Sequence, residues 1–203
     1  MKKKHHKGFT LLEALVGIAI TSLLVGSIAW ILVSTFRANR VIWDQLQSQS
    51  DGRRVLATFV NDMHRTNQSS IGAYPIATAT TNTLTFYANI DKDQFIERVR
   101  YFLVSTTLSR GIIRPSGNPL QYPTSSEQIT QVAHDVKNTK QNTPVFLYYN
   151  EGYTGIQSPL VSPVSTTAIH MVRVQLQLDR DPLVSPAPFL VQTVVEIRNL
   201  KGN

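Results

Sequence analysis

Cysteine is missing from all 203 residues. Its absence removes disulfides, thiolate nucleophiles and Cys-ligated zinc in one step, and leaves the redox compartment open. Proline is missing from the N-terminal third: all ten prolines fall at Pro75 or later. Between residues 9 and 74 only Gly17, Gly26, Gly52 and Gly72 interrupt a run that can form one continuous helix. Charge is scarce, at 16% of residues against 42% apolar, a balance that excludes wholesale disorder. The formal net charge of +7 suggests a nucleic-acid partner until it is located. Lys2, Lys3, Lys4 and Lys7 supply four of the positives, and beyond residue 8 the chain holds 16 Lys and Arg against 13 Asp and Glu. A nucleic-acid reading needs a basic patch in the body. Arg110, Arg114, Lys137 and Lys140 are the only loose cluster, so nucleic acid stays an uncertain partner. No G-x-S-x-G, P-loop or G-x-G-x-x-G occurs, and no catalytic constellation is evident.

What the chain does have is one long apolar run. Residues 14–33 read ALVGIAITSLLVGSIAWILV, twenty positions without a charge. At 1.5 Å per residue, twenty helical residues span ~30 Å, the thickness of a bilayer core. The lysine-rich flank before it and the weaker Arg37/Arg40 flank after it favour a cytoplasmic N-terminus, with the rest of the chain outside. An ordinary secretory signal peptide is the competing reading, supported by the small-x-small triplet Ser27-Ile28-Ala29. Two features oppose it. The apolar run from Phe9 exceeds a usual signal core, and it contains a carboxylate, Glu13, at a depth where charge is costly. On these residues alone, Glu13 is most simply a side chain reaching back to the interface near the helix end.

The junction reads Lys-Gly-Phe-Thr-Leu-Leu-Glu-Ala-Leu-Val over residues 7–16. It resembles the class III signal of the type IV pilin-like superfamily: a short basic leader, Gly, Phe, and a Glu five residues into the mature chain. Gly8, Phe9 and Glu13 match in order and spacing. The resemblance implies chemistry done to this chain rather than by it. A prepilin peptidase would cut between Gly8 and Phe9, and N-methylate the new Phe9 amine. Glu13 would pair with that amine, its own or a neighbouring subunit's, during assembly. The partners implied are the peptidase, other minor and major pilins or pseudopilins, an inner-membrane assembly platform and the lipid bilayer. The place implied is the bacterial inner membrane, single-pass, and then a pilus or pseudopilus.

Beyond Phe36 the helix should continue to about Asn67, ~85 Å in all. Ile42, Leu46, Leu56, Val60 and Met63 mark its apolar side, with Arg37, Arg40, Asp44, Arg54 and Asp62 largely off that stripe. Gly52 is a candidate bend. Past Ile71 the periodicity becomes two, and strands are expected over 83–88, 95–104, 106–113, 129–136, 144–150, 169–178 and 190–198. Val172, Val174, Leu176 and Leu178 share one face, as do Val191, Thr193, Val195 and Ile197. Residues 114–127 and 151–167 read as turn-rich loops, and Pro182, Pro186 and Pro188 make 180–188 a protruding loop. The expected fold is α+β and pilin-like: a long N-terminal helix, its first half transmembrane, packed on a head of antiparallel strands. The segments are a cleaved leader (1–8), a transmembrane or filament-core half-helix (9–36), an amphipathic half-helix (37–70) and a β-rich head (71–203).

Within the superfamily the chain resembles J-type minor pseudopilins of type II secretion and related minor type IV pilins. The residues that carry this are RRVLATFVND ending at Asp62, RVRYFL over 98–103 followed by Leu108-x-Arg110, and TVVEIRN over 193–199. The Trp-rich loop segment of secretion J-type proteins is absent, so a pilus or competence system fits equally well. Such a subunit is structural, not an enzyme, and sits at the tip of its fibre. The alternative is a membrane-anchored module whose head binds DNA, a surface or a secreted substrate.

No cofactor and no metal is expected. His5 and His6 fall in the leader, and His64, His134 and His170 share no ligand spacing. Asp91-Lys92-Asp93 and Asp179-Arg180-Asp181 are D-x-D turns, too little for calcium without a Gly and a closing Glu. Tyr148, Tyr149 and Tyr153 are expected to cover a sheet edge rather than form an exposed patch.

Overall fold

A computed structural model describes residues 8, 10–180 and 188–197. The chain divides into two units, Met1–Trp43 and Asp44–Asn203. One helix, α1 (Leu11–His64), begins in the first and ends in the second. Thr10 caps it: its hydroxyl accepts the Glu13 amide at 3.3 Å, and its carbonyl accepts that of Ala14 at 3.1 Å. Thr-x-x-Glu is the sequence pattern of a capping box, and it satisfies N–H groups that no helical carbonyl can reach. At the other end His64 lies in the last turn, where a cation would favour the helix dipole. Arg65 N–H to Asp62 and Thr66 N–H to Met63, both 3.1 Å, tighten the exit.

The first unit is a helix with no inward face. Leu11, Leu23, Trp30 and Phe36 are all more than 70% exposed. Its few hydroxyls turn back on their own backbone: Thr21 donates to Gly17 O at 2.7 Å, Ser27 to Leu23 O and Thr35 to Ile31 O at 2.8 Å. That arrangement suits a helix in lipid, where no water can take up a stray polar group. This segment is long and apolar enough to cross a membrane.

The second unit holds two antiparallel sheets. The larger is a meander, β1 (Ile76–Ala79), β2 (Thr83–Ala88), β3 (Glu97–Val104), β4 (Thr107–Ile113) and β5 (Gln128–Ala133), each strand paired with the next. The smaller is β6 (Phe146–Tyr149), β7 (Met171–Leu178) and β8 (Phe189–Glu196). The alternation expected for β7 and β8 is present: Val172, Val174, Leu176 and Leu178 are buried, as are Val191, Val195 and Ile197. All seven expected strands occur, with bounds moved by a few residues at most. β1 was not anticipated; it is the small-residue segment IATA after Pro75, and its register with β2 slips between Ile76 and Thr78. Short 3-10 turns at Thr124–Ser126 and Thr166–Ala168 fall in or at the end of the two expected loops. Residues 181–187 of the proline-rich loop lie outside the described residues.

The end of α1 packs on both sheets. Phe59 is fully buried, 5.2 Å edge-on to Tyr101 of β3 and 5.9 Å from Phe146 of β6. The buried helix positions are Gly52, Val55, Phe59, Asp62 and Met63. This corrects the expected stripe. Ile42 and Leu46 are about half exposed, at 54% and 52%, while Leu56 and Val60 are only half-buried, and Asp62 is inside. Gly52, expected as a bend, serves a close approach instead. A Cβ there would lie 2.8 Å from Val191 Cγ2 and 3.0 Å from Leu178 Cδ1.

Candidate functional site

Two places concentrate the chemistry. The first is the start of the chain. Gly8 is exposed, with open space where a Cβ would sit. Phe9 lies outside the described residues, as do the leader lysines and His5 and His6. Glu13 is the third residue of α1 and is exposed, so its carboxylate sits at the positive end of the helix dipole. This local role was not anticipated.

The second place is a buried clasp at the end of α1. Asp62 Oδ2 accepts two hydrogen bonds at 2.7 Å, one from the Tyr101 hydroxyl of β3 and one from Arg110 Nε of β4. Tyr101 and Arg110 face each other in the β3–β4 register. The hairpin thus presents one hydroxyl and one guanidinium to the same oxygen. Burial pushes the Asp62 carboxyl above its ordinary value, and the Tyr101 bond and Arg110 charge only partly offset that. Burial also raises the Tyr101 phenol, reinforced by the Asp62 charge, so it remains a hydrogen-bond donor. Two of the three stretches singled out as J-type-like, the one ending at Asp62 and the hairpin that carries Tyr101 and Arg110, therefore meet at one point. Their spacing in sequence, 39 and 48 residues, hid this. The signal that could have found it is Phe59, which stands three residues before Asp62 and so shares its helix face.

The other candidates separate. Among the described residues, His64, His134 and His170 join no group of three possible metal ligands, and the group found there is Asp91, Asp93 and Glu97. Arg110 and Arg114, half of the loose basic cluster, are engaged by Asp62 and by Asp91 with Asp93. Tyr148 and Tyr149 are buried, and Tyr149 stacks 4.0 Å from Tyr153, as expected of residues that cover a sheet. Ser48, Asp51 and His134 line one cavity of about 210 Å³ with Arg54 and Arg180. No hydrogen bond joins those three among the described residues. Asp181, the second acid of the other D-x-D turn, lies outside the described residues.

Residues 3–29 match a family model, the prokaryotic N-terminal methylation motif. The match takes in Gly8, Phe9 and Glu13 and the apolar run as far as Ala29. No curated protein matches the chain. The motif, the long apolar helix and the antiparallel sheets together fit a prepilin-like protein of α+β, pilin-like architecture. Such a signal implies processing by prepilin peptidase and assembly with other pilins.

Proposed function

We propose that this chain is a minor pilin or pseudopilin, a structural subunit of a type IV pilus or type II secretion pseudopilus, placed at the fibre tip. The observation that carries the proposal is the methylation motif continuous with a helix whose apolar side chains are exposed all round. Lipid must cover that surface before assembly, and neighbouring helices after it. The cut falls between Gly8 and Phe9, and Phe9 carries the methylated amine. The chain crosses the inner membrane once, N-terminus in the cytoplasm, and meets the assembly platform there.

Glu13 works in assembly. A carboxylate near membrane depth is expensive without a partner, ~3 kcal/mol at a helix centre on insertion scales. Its neutral variants insert at least as well and are still cut. A Phe9 amine left in the filament core without a counter-charge costs ~3–5 kcal/mol, so assembly fails instead. At the tip Glu13 has no subunit above it, and it pairs with its own amine or with a sibling. The expected phenotype of Glu13→Ala, at normal protein level and normal cleavage, is fewer filaments or secretion events rather than shorter ones. Wild-type numbers would refute the pairing.

The head is an assembly module and not an enzyme. The clasp at Asp62 supports this, because its donors serve a buried carboxylate and leave no reactive group open. The second reading, a membrane-anchored head that binds DNA, a surface or a secreted substrate, would need free basic residues. The engagement of Arg110 and Arg114 counts against the nucleic-acid form of it.

A further inference from the structure

The loop between β2 and β3 places three carboxylates together. One oxygen each from Asp91, Asp93 and Glu97 lies within 4.8 Å of the others. A calcium ion holds its oxygens at 2.3–2.6 Å, so oxygens on opposite sides of one ion stand about 4.8 Å apart. Three oxygens that all lie within that limit are close enough to share one cation. Glu97 makes this more than a charged surface. It is 3% exposed at the start of β3. Its Oε2 accepts the Ile90 amide at 2.9 Å, while Oε1 is buried with no hydrogen-bond partner. A buried carboxylate oxygen left without donor or cation is uncommon. Asn89 repeats the pattern: its Nδ2 donates to Asp93 O at 2.6 Å, and its Oδ1 is buried without a partner.

The loop is already built. Asp93 Oδ1 accepts the Phe95 amide at 2.7 Å, Asp91 Oδ1 that of Asp93 at 3.3 Å, and Arg65 Nη1 donates to Ile90 O at 2.6 Å. Arg114 contacts Asp91 and Asp93 from the solvent side, with its side chain 56% exposed. Exposed pairs of this kind are weak, and this one does not reach Glu97. Three carboxylates against the Arg114 guanidinium and the neighbouring Arg65 still leave negative charge uncompensated, which a cation would offset. Asp91, Glu97 and Arg114 also line one cavity, with Ile112, Ser116 and Ser126, giving room for water to complete the shell.

We propose that Asp91, Asp93 and Glu97 form a calcium site, with Asn89 Oδ1 as a further oxygen ligand. The donors are oxygen only, which selects a hard cation. Carboxylates carried on a loop suit the variable coordination of calcium better than the strict octahedron of magnesium. The site departs from the solvated turn expected of the sequence, because the closing Glu comes from the next strand. It stands independently of the assembly role.

The test is calcium titration of the full chain in detergent micelles after chelator treatment, followed by calorimetry and by thermal unfolding. Saturable binding with a dissociation constant of about 0.1–1 mM is expected, the range of extracellular calcium modules, and magnesium should bind at least about tenfold more weakly. Asp91→Asn, an exposed change that leaves the fold intact, should weaken binding by about tenfold or more. Arg114→Ala keeps every ligand and should bind at least as tightly as wild type. No saturable binding up to 10-fold above that range (~10 mM), equal affinity for magnesium, unchanged affinity in Asp91→Asn, or loss of binding in Arg114→Ala would each overturn the proposal.

Discussion

The N-terminal unit and the C-terminal unit use apolar side chains in opposite ways. In the first, Leu23 and Trp30 are 73% and 72% exposed; in the second, Phe59 and Met63, on the same helix, are fully buried. Both stretches are helical for the same local reason, the lack of proline. They differ in what covers them. The first offers apolar surface on every side and ties its hydroxyls to its own carbonyls, so it needs an outside partner. The second presents one face, buried by two sheets of its own chain, and places its one inward carboxylate on a clasp. A continuous helix can thus serve two environments when hydrophobic residues change from all-round to one-sided along its length.

Substitution at Gly8 should have the greatest consequence for the first unit. A bulky residue there, such as Gly8→Leu, should bring processing close to zero. Precursor and mature bands on immunoblots of the membrane fraction check this. Normal processing would mean that the peptidase does not read this position.

The next largest effect belongs to the clasp. Asp62→Ala removes the acceptor from a buried hydroxyl and a largely buried guanidinium, and should destabilise the second unit by ~3 kcal/mol. Tyr101→Phe keeps the Asp62–Arg110 pair and should cost less, ~1–2 kcal/mol. Denaturant unfolding of the full chain in micelles measures both, and the double variant should be less than additive, because the two residues share one hydrogen bond. Full additivity would mean that the contact contributes nothing. The first unit's helix should keep its far-UV signal in all three variants.

Gly52→Ala gains ~1 kcal/mol of helix propensity, but its methyl meets Val191 and Leu178. Overpacking of that kind costs ~1–3 kcal/mol, so a net loss of ~1 kcal/mol is expected. Val191→Ala in the same chain should recover most of the Gly52→Ala loss. The same change at Gly17 or Gly26, where nothing stands within 4 Å, should be neutral or stabilising in micelles.

The smallest effect is a pH slope. The Asp62 carboxyl is raised above its ordinary 3.8, chiefly by burial, so the folded state takes up a proton more readily than the unfolded chain. Its contribution is fully present below about 3.8 and is lost as pH rises through the higher folded value. Stability followed upward from pH 4 should therefore fall less steeply in Asp62→Asn than in wild type. An unchanged slope would place the titration elsewhere.

Much of the second unit was legible because strands alternate with a strict period of two. Met171–Leu178 carries that alternation residue by residue, and β3 follows it from Glu97 as far as Phe102. The helix face was harder. Leu46 and Ile42 imitate a stripe that begins, in the fold, only at Gly52. Asp62 was set outside because a carboxylate reads as polar, although its partners lie 39 and 48 residues away. β1 escaped because alanine and threonine give little pattern. The start of the chain was the reverse case: Gly8, Phe9 and Glu13 were legible as a motif, since a peptidase reads contiguous residues and not a folded surface.

On the proposed function, the apolar helix stays on the mature chain after a cut at Gly8. The direct measurement is the mass of the N-terminal peptide of protein taken from the membrane or filament fraction. A peptide beginning at N-methylated Phe9 is expected, with the apolar run retained. A mature chain beginning at Trp30, after Ser27-Ile28-Ala29, would contradict the account and return the first unit to an ordinary signal peptide.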